Sequence, residues 1–133
     1  MSAVEVAVTI TKIEAVDLGA QGDPGFRETV EALTKICTPK NASQPWEVSD
    51  TDFVAVTKEG LVIPVNTTLS GVREPTLPYG PVPAGRCVRG WVQIGMDAGQ
   101  ARTVTAVEFQ PNTGETTAVW GIDRALRLGR PDF

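Results

Sequence analysis

Hydrophobic and polar residues alternate along most of this chain, most clearly over residues 87–94. There Val88, Val92 and Ile94 point one way with Gly90 in the gap between them, and Cys87, Arg89, Trp91 and Gln93 point the other. A period of two with apolar groups on one side is what a half-buried antiparallel strand requires. The turn Pro83-Ala84-Gly85 delivers the chain into it.

The same period recurs on either side of this strand. Val4, Val6, Val8 and Ile10 alternate with Glu5, Ala7, Thr9 and Thr11, which predicts a first strand broken by the loop residues Gly19-Ala20-Gln21-Gly22-Asp23-Pro24-Gly25. Residues 27–37 fit two templates, a helical stripe of Val30, Leu33, Ile36 and Cys37 or a strand face of Val30, Ala32, Thr34 and Ile36. The strand is favoured, because the segment is short, lacks a helix-capping residue directly before it and runs into Pro39. Phe53-Val54-Ala55-Val56 turns through Lys58-Glu59-Gly60 into Leu61-Val62-Ile63-Pro64-Val65, a hairpin whose second arm Pro64 assigns to a sheet edge or a bulge.

Residues 66–85 are too many for a hairpin loop and suit a crossing from one sheet to another. After the strand at 87–94, the turn 95–100 leads into a strand over 101–109, with Val104 and Ala106 expected to face opposite to Val107 and Phe109. Pro111-Asn112-Thr113-Gly114 predicts a compact turn and 116–120 a last strand. Residues 123–133, with Leu126 and Leu128, read as a helical turn or a loose end. The expectation is an all-β chain, an immunoglobulin-like antiparallel β-sandwich of about seven strands over 1–122 with a tail at 123–133.

Composition narrows the function more than the fold. A chain of 133 residues is one domain, and its 41% apolar and 21% charged fractions belong to soluble globular proteins. A net charge of -4 speaks against nucleic acid, since Arg86, Arg89 and Arg102, the nearest thing to a phosphate-binding patch, are scattered among acids in the sequence. No apolar run approaches the roughly 18 residues that a membrane-spanning helix needs. Met1-Ser2-Ala3-Val4-Glu5 does not resemble a secretory signal, so either the protein stays where it is made or an export signal has been removed.

The two cysteines lie fifty positions apart, without metal-ligand spacing and with no histidine in the chain to complete a site. Buried free thiols are one reading. The other follows from the sandwich topology, in which the second strand lies antiparallel beside the fifth. If Cys37 sits opposite Cys87, then Ile36 faces with Val88, Thr34 with Gly90, Ala32 with Val92 and Val30 with Ile94, and both apolar sets land on one side. Directly opposed residues are about 4.5 to 5.5 Å apart at Cα, within reach of a disulfide, so a bridge on the outer face of one sheet is expected. That register also opposes Lys35 to Arg89, an unfavourable pair of like charges.

Quoted together, Ala32-Leu33-Thr34-Lys35-Ile36-Cys37-Thr38-Pro39-Lys40-Asn41-Ala42-Ser43, the segment Trp46-Glu47-Val48-Ser49-Asp50-Thr51-Asp52-Phe53-Val54-Ala55-Val56, the Gly60 turn and residues 83–92 resemble the immunoglobulin-like domain of unknown function in exported bacterial lipoproteins. That domain is similar in fold, called telokin-like, to a small secreted immunogenic protein of mycobacteria. The resemblance covers most of residues 4–120 and implies an exported or cell-surface β-sandwich with no established reaction.

Candidate chemistry is sparse. Without histidine there is no Ser/His/Asp or Cys/His centre. Asp50 and Asp52, two apart, could hold calcium or act as paired acids, but capping a turn at a strand entry is the favoured role. The bridge register sets Leu33 beside Trp91 on the outer face, where the pair either anchors a partner or is covered by the 66–85 loop with Tyr79. The reading is a non-catalytic, secreted or cell-surface interaction or accessory domain with no cofactor and no metal site. Its candidate partner is a protein, touched at Leu33, Trp91 and Tyr79. A decoration domain of a phage or surface assembly is the alternative, and a carboxylate-dependent hydrolase the least favoured.

Overall fold

Two four-stranded sheets enclose an apolar core in the computed structural model, which describes residues 6–18, 27–65, 74–111, 118–122 and 128–129. The strands are β1 (Ala7–Asp17), β2 (Glu28–Cys37), β3 (Trp46–Val48), β4 (Phe53–Thr57), β5 (Val62–Pro64), β6 (Gly80–Val82), β7 (Cys87–Met96), β8 (Val104–Phe109), β9 (Ala118–Gly121) and β10 (Leu128–Gly129). One sheet has the order β10-β1-β2-β7 and the other β5-β4-β8-β9, while β3 and β6 form a separate pair. This is an immunoglobulin-like β-sandwich whose strand pairs are antiparallel except β10 with β1, and an isolated parallel bridge joins Thr76 to Trp91.

Residues 28–37 form a strand, not a helix, and Pro64 lies on an edge strand. The connection after β5 does cross between sheets, since β5 belongs to one and β7 to the other. Three short strands, β3, β6 and β10, were not expected, because two or three residues carry no readable period. Leu128 and Gly129, placed in the tail by pattern, pair with Ala15 and Val16 on the outer edge of β1. The expectations for Val4, the 19–25 loop and the turn at Asn112 to Gly114 lie outside the described residues.

Two bulges explain patterns that a strict period of two misassigns. Ile10 pairs with Thr34 and Lys12 with Leu33, so Thr11 is an extra residue. The core-facing set therefore changes from Val8 and Ile10 to Ile13 and Ala15. Similarly, Val56 pairs with Ala106 and Thr57 with Val104, which leaves Thr105 over. Val104 was expected to face away from Val107 and Phe109, but the bulge turns it inward and all three are buried.

The core joins Val30, Ile36, Val92 and Ile94 of one sheet to Phe53, Ala55, Val107 and Phe109 of the other. The Phe53 and Phe109 rings lie 5.1 Å apart, and each buried side chain of this size contributes about 1.5–3 kcal/mol. Residues 75–77 close the free edge of β7, where the Trp91 amide donates to the Pro75 carbonyl (2.8 Å) and the Leu77 amide to the Trp91 carbonyl (3.2 Å). The Thr76–Leu77 peptide lies in the space that Gly90 leaves open, and Leu77 is buried in the core, 4% exposed.

Glu28 anchors the far end of β7 in a similar way. Its carboxylate is buried and accepts from the Gly99 amide (2.8 Å) and the Ala101 amide (3.0 Å), holding the β7–β8 turn. Glu28→Ala should lower the unfolding free energy by about 2 kcal/mol, because one buried and one part-buried amide lose a charged acceptor. Glu28→Gln keeps one acceptor oxygen and should lose less. Urea titrations in which both variants match the parent would show that the turn does not depend on this carboxylate.

Candidate functional site

The outer face of the β2–β7 ladder gathers most of the residues singled out by pattern. Its register runs Cys37 to Cys87, Lys35 to Arg89, Leu33 to Trp91, Glu31 to Gln93 and Thr29 to Gly95, with the alternate residues turned into the core. Cys37 and Cys87 form a disulfide with their Cα atoms 4.0 Å apart, so the free-thiol alternative does not hold. The ladder continues one step past the bridge, through hydrogen bonds from the Thr38 amide to the Arg86 carbonyl and from the Gly85 amide to the Thr38 carbonyl, both 3.0 Å.

The two ends of this face differ. At one end Thr29 and Glu31 are fully buried and Gln93 is 9% exposed, although all three point away from the core. Glu31 Oε2 accepts from Thr29 Oγ1 (2.9 Å) and from Gln93 Nε2 (2.7 Å), which satisfies a carboxylate oxygen removed from water. At the other end Lys35, Arg89 and Cys87 are exposed, and Arg86, in the turn just before Cys87, is exposed as well. Lys40 joins them, since the Gly85 turn lies against it with 3.5 Å between the Lys40 Cγ and the place of a Cβ on Gly85.

Leu33 and Trp91 are cross-strand neighbours, as the register implied. Leu33 is half-buried, while Trp91 is only 8% exposed, so coverage is the outcome for the indole. Tyr79 stands largely in solvent. That side chain is 62% exposed and its hydroxyl donates to Asp50 Oδ1 at 2.6 Å. Leu33 and Trp91 are thus neighbours on the ladder, and Tyr79 follows the segment 75–77 that runs along the β7 edge.

Asp50 and Asp52 occupy a 3-10 turn capped by Ser49, whose Oγ accepts from the Thr51 amide (3.2 Å). Among the described residues, no three His, Cys, Asp or Glu side chains are placed to hold a metal ion. Burial, and then the charge of Asp50, push the Asp52 carboxyl above its usual range. Burial, the hydrogen bond to Asp50 and the Asp50 charge together push the Tyr79 phenol up to about 12.

Tyr79 is the only tyrosine in the chain, so its phenolate absorbance can be titrated without interference from another. A midpoint near 12 is expected, falling toward 10 in Asp50→Asn. A raised phenol pKa favours the protonated folded state, so this contribution to stability is complete below pH 10 and lost as pH rises from about 10 to about 12. A midpoint unchanged by Asp50→Asn would show that the phenol does not feel this carboxylate.

Pattern analysis did not single out Lys40, nor the buried Glu31. Lys40 reaches the basic end only through the turn after Cys37, and Glu31 is hidden on a face that alternation marks as outer, so neither has a local signal.

No family model matches the chain, and neither does any curated protein. Among solved structures it is similar to MPT63, a secreted protein from Mycobacterium tuberculosis, with a TM-score of 0.68 and 16% identity over 90% of this chain and 84% of that one. At that identity the likeness establishes the shared fold.

Proposed function

We propose that this chain is a non-catalytic domain that works outside the cytoplasm, secreted or at the cell surface, as an interaction or accessory module. The Cys37–Cys87 disulfide carries the reading. Cys87 is exposed, and a bridge open to solvent persists in an oxidising compartment but is reduced in most cytosols. The shared fold with a secreted protein supports the same address. The lack of histidine supports a binding role over acid–base chemistry near neutral pH. Leu33, Trp91 and Tyr79 are its proposed contact residues, and the half-buried Leu33 and the exposed Tyr79 offer more accessible surface than the buried Trp91.

Fractionation of the source cells, with thiol counting on the recovered protein, tests this directly. The expected result is protein in the extracytoplasmic fraction with no free thiol. Recovery from the cytoplasm with both cysteines reduced would end the reading.

A further inference from the structure

We infer that the disulfide end of the β2–β7 ladder, with Lys35 and Arg89 on its outer face and Lys40 and Arg86 on the turns just past the bridge, is a docking surface for an acidic protein segment. A chain with a net charge of -4 gathers four of its twelve lysines and arginines there. They are far apart in sequence. The register makes Lys35 the direct partner of Arg89, the backbone bond from Thr38 places Arg86 one step past the bridge, and the Lys40 stem lies against the Gly85 turn, so all four belong to the same end of the ladder. Arg102, grouped with Arg86 and Arg89 by sequence alone, sits in the 3-10 turn after β7 and does not belong to the cluster.

All four side chains are exposed, and among the described residues none makes a salt bridge or a side-chain hydrogen bond. The ion pair formed among the described residues, Lys12 to Glu14 at 3.7 Å, involves a different cation of the same sheet. Opposing Lys35 to Arg89 costs a few tenths to about 1 kcal/mol in the free protein, a cost that a carboxylate seated between them removes. The disulfide and the two backbone bonds beyond it hold the ladder end in place, so little backbone ordering is required on binding.

The size of the patch favours a short segment over a membrane plane or a nucleic acid. Charges act over about 8 Å at physiological salt, so a short acidic stretch meets only the basic end. An extended polyanion would also meet the rest of an acidic molecule. The apolar neighbours that could enter a bilayer, Leu33 and Trp91, are half-buried and buried. This inference rests on the reading of the domain as a contact module and supplies the chemistry of its partner.

Fluorescence anisotropy with a labelled decaglutamate peptide tests it on the intact protein. The double variant Lys35→Glu/Arg89→Glu keeps a like-charge pair at the same positions, so its stability should match the parent. The parent should bind at low salt and lose affinity steeply as salt rises. The double variant should bind about tenfold more weakly or worse. Lys58→Glu/Arg102→Glu changes net charge equally at two other exposed sites and should bind like the parent. No binding at low salt, an equal loss in the control variant, or patch-dependent binding to phosphatidylglycerol vesicles without binding to the peptide would each overturn the proposal. The proposed extracytoplasmic address would be untouched by such a failure, because thiol content and fractionation measure it independently.

Discussion

Gly90→Ala should destabilise the protein by about 3 kcal/mol, the largest effect expected from adding a single methyl group. A Cβ at this position would lie 2.3 Å from the Leu77 nitrogen, 2.4 Å from the Thr76 carbonyl carbon and 2.5 Å from the Thr76 oxygen. These are backbone atoms, which cannot rotate away as a side chain can. Relief requires residues 75–77 to leave the β7 edge, which breaks the two hydrogen bonds to Trp91 and brings Leu77 out of the core. The opposing effect, a less flexible unfolded chain, favours alanine by only about 0.4–1 kcal/mol, so the clash wins. Urea unfolding gives the magnitude, and amide exchange at Leu77 and Trp91 reports the location. An alanine variant as stable as the parent, with both amides still protected, would show that the segment does not press on β7.

Removing the bridge should cost about 4 kcal/mol. A crosslink spanning fifty positions restricts the unfolded chain by roughly that amount in the chain-entropy account. Cys37→Ala/Cys87→Ala should still fold, because the β2–β7 register has nine further pairs and its core side is filled by Val30, Ile36, Val92 and Ile94. Its unfolding midpoint should coincide with that of the reduced parent. A loss below about 1 kcal/mol would mean that the unfolded chain is already restricted by other means.

The β2–β7 pairing was legible because two independent patterns agree on it. Apolar alternation in 28–37 and 87–96 fixes which side of each strand faces the core, and the two cysteines allow one register that satisfies both. The hairpin of β4 and β5 was legible from its turn chemistry. Where a single residue interrupts the alternation, at Thr11 and at Thr105, local pattern assigns Val104 to the wrong side, since a bulge is defined by its partner strand.

The candidate site was less legible than the fold. Sequence pattern placed Trp91 on an outer face and left open whether it was covered, because coverage depends on segments distant in the chain. Tyr79 was paired with Leu33 and Trp91 by its position in the crossing loop, whereas its hydroxyl reaches Asp50 across 29 positions. The basic end was half visible, since Arg86 and Arg89 adjoin Cys87 while Lys35 and Lys40 come from the other strand and its turn.

What the sequence by itself determined was the class of structure and the inward and outward sides of the long strands, and it made the pairing of Cys37 with Cys87 the expected one, which the structure then carries. These depend on periodicity and local turn chemistry, which a linear pattern records. Only the tertiary structure decided that residues 75–77 seal the edge beside Gly90, that Glu31 and Trp91 are shielded on an outer face, and that four separated cations share one corner. Burial and charge proximity are properties of neighbours in space, and those neighbours come from parts of the chain that no local pattern connects.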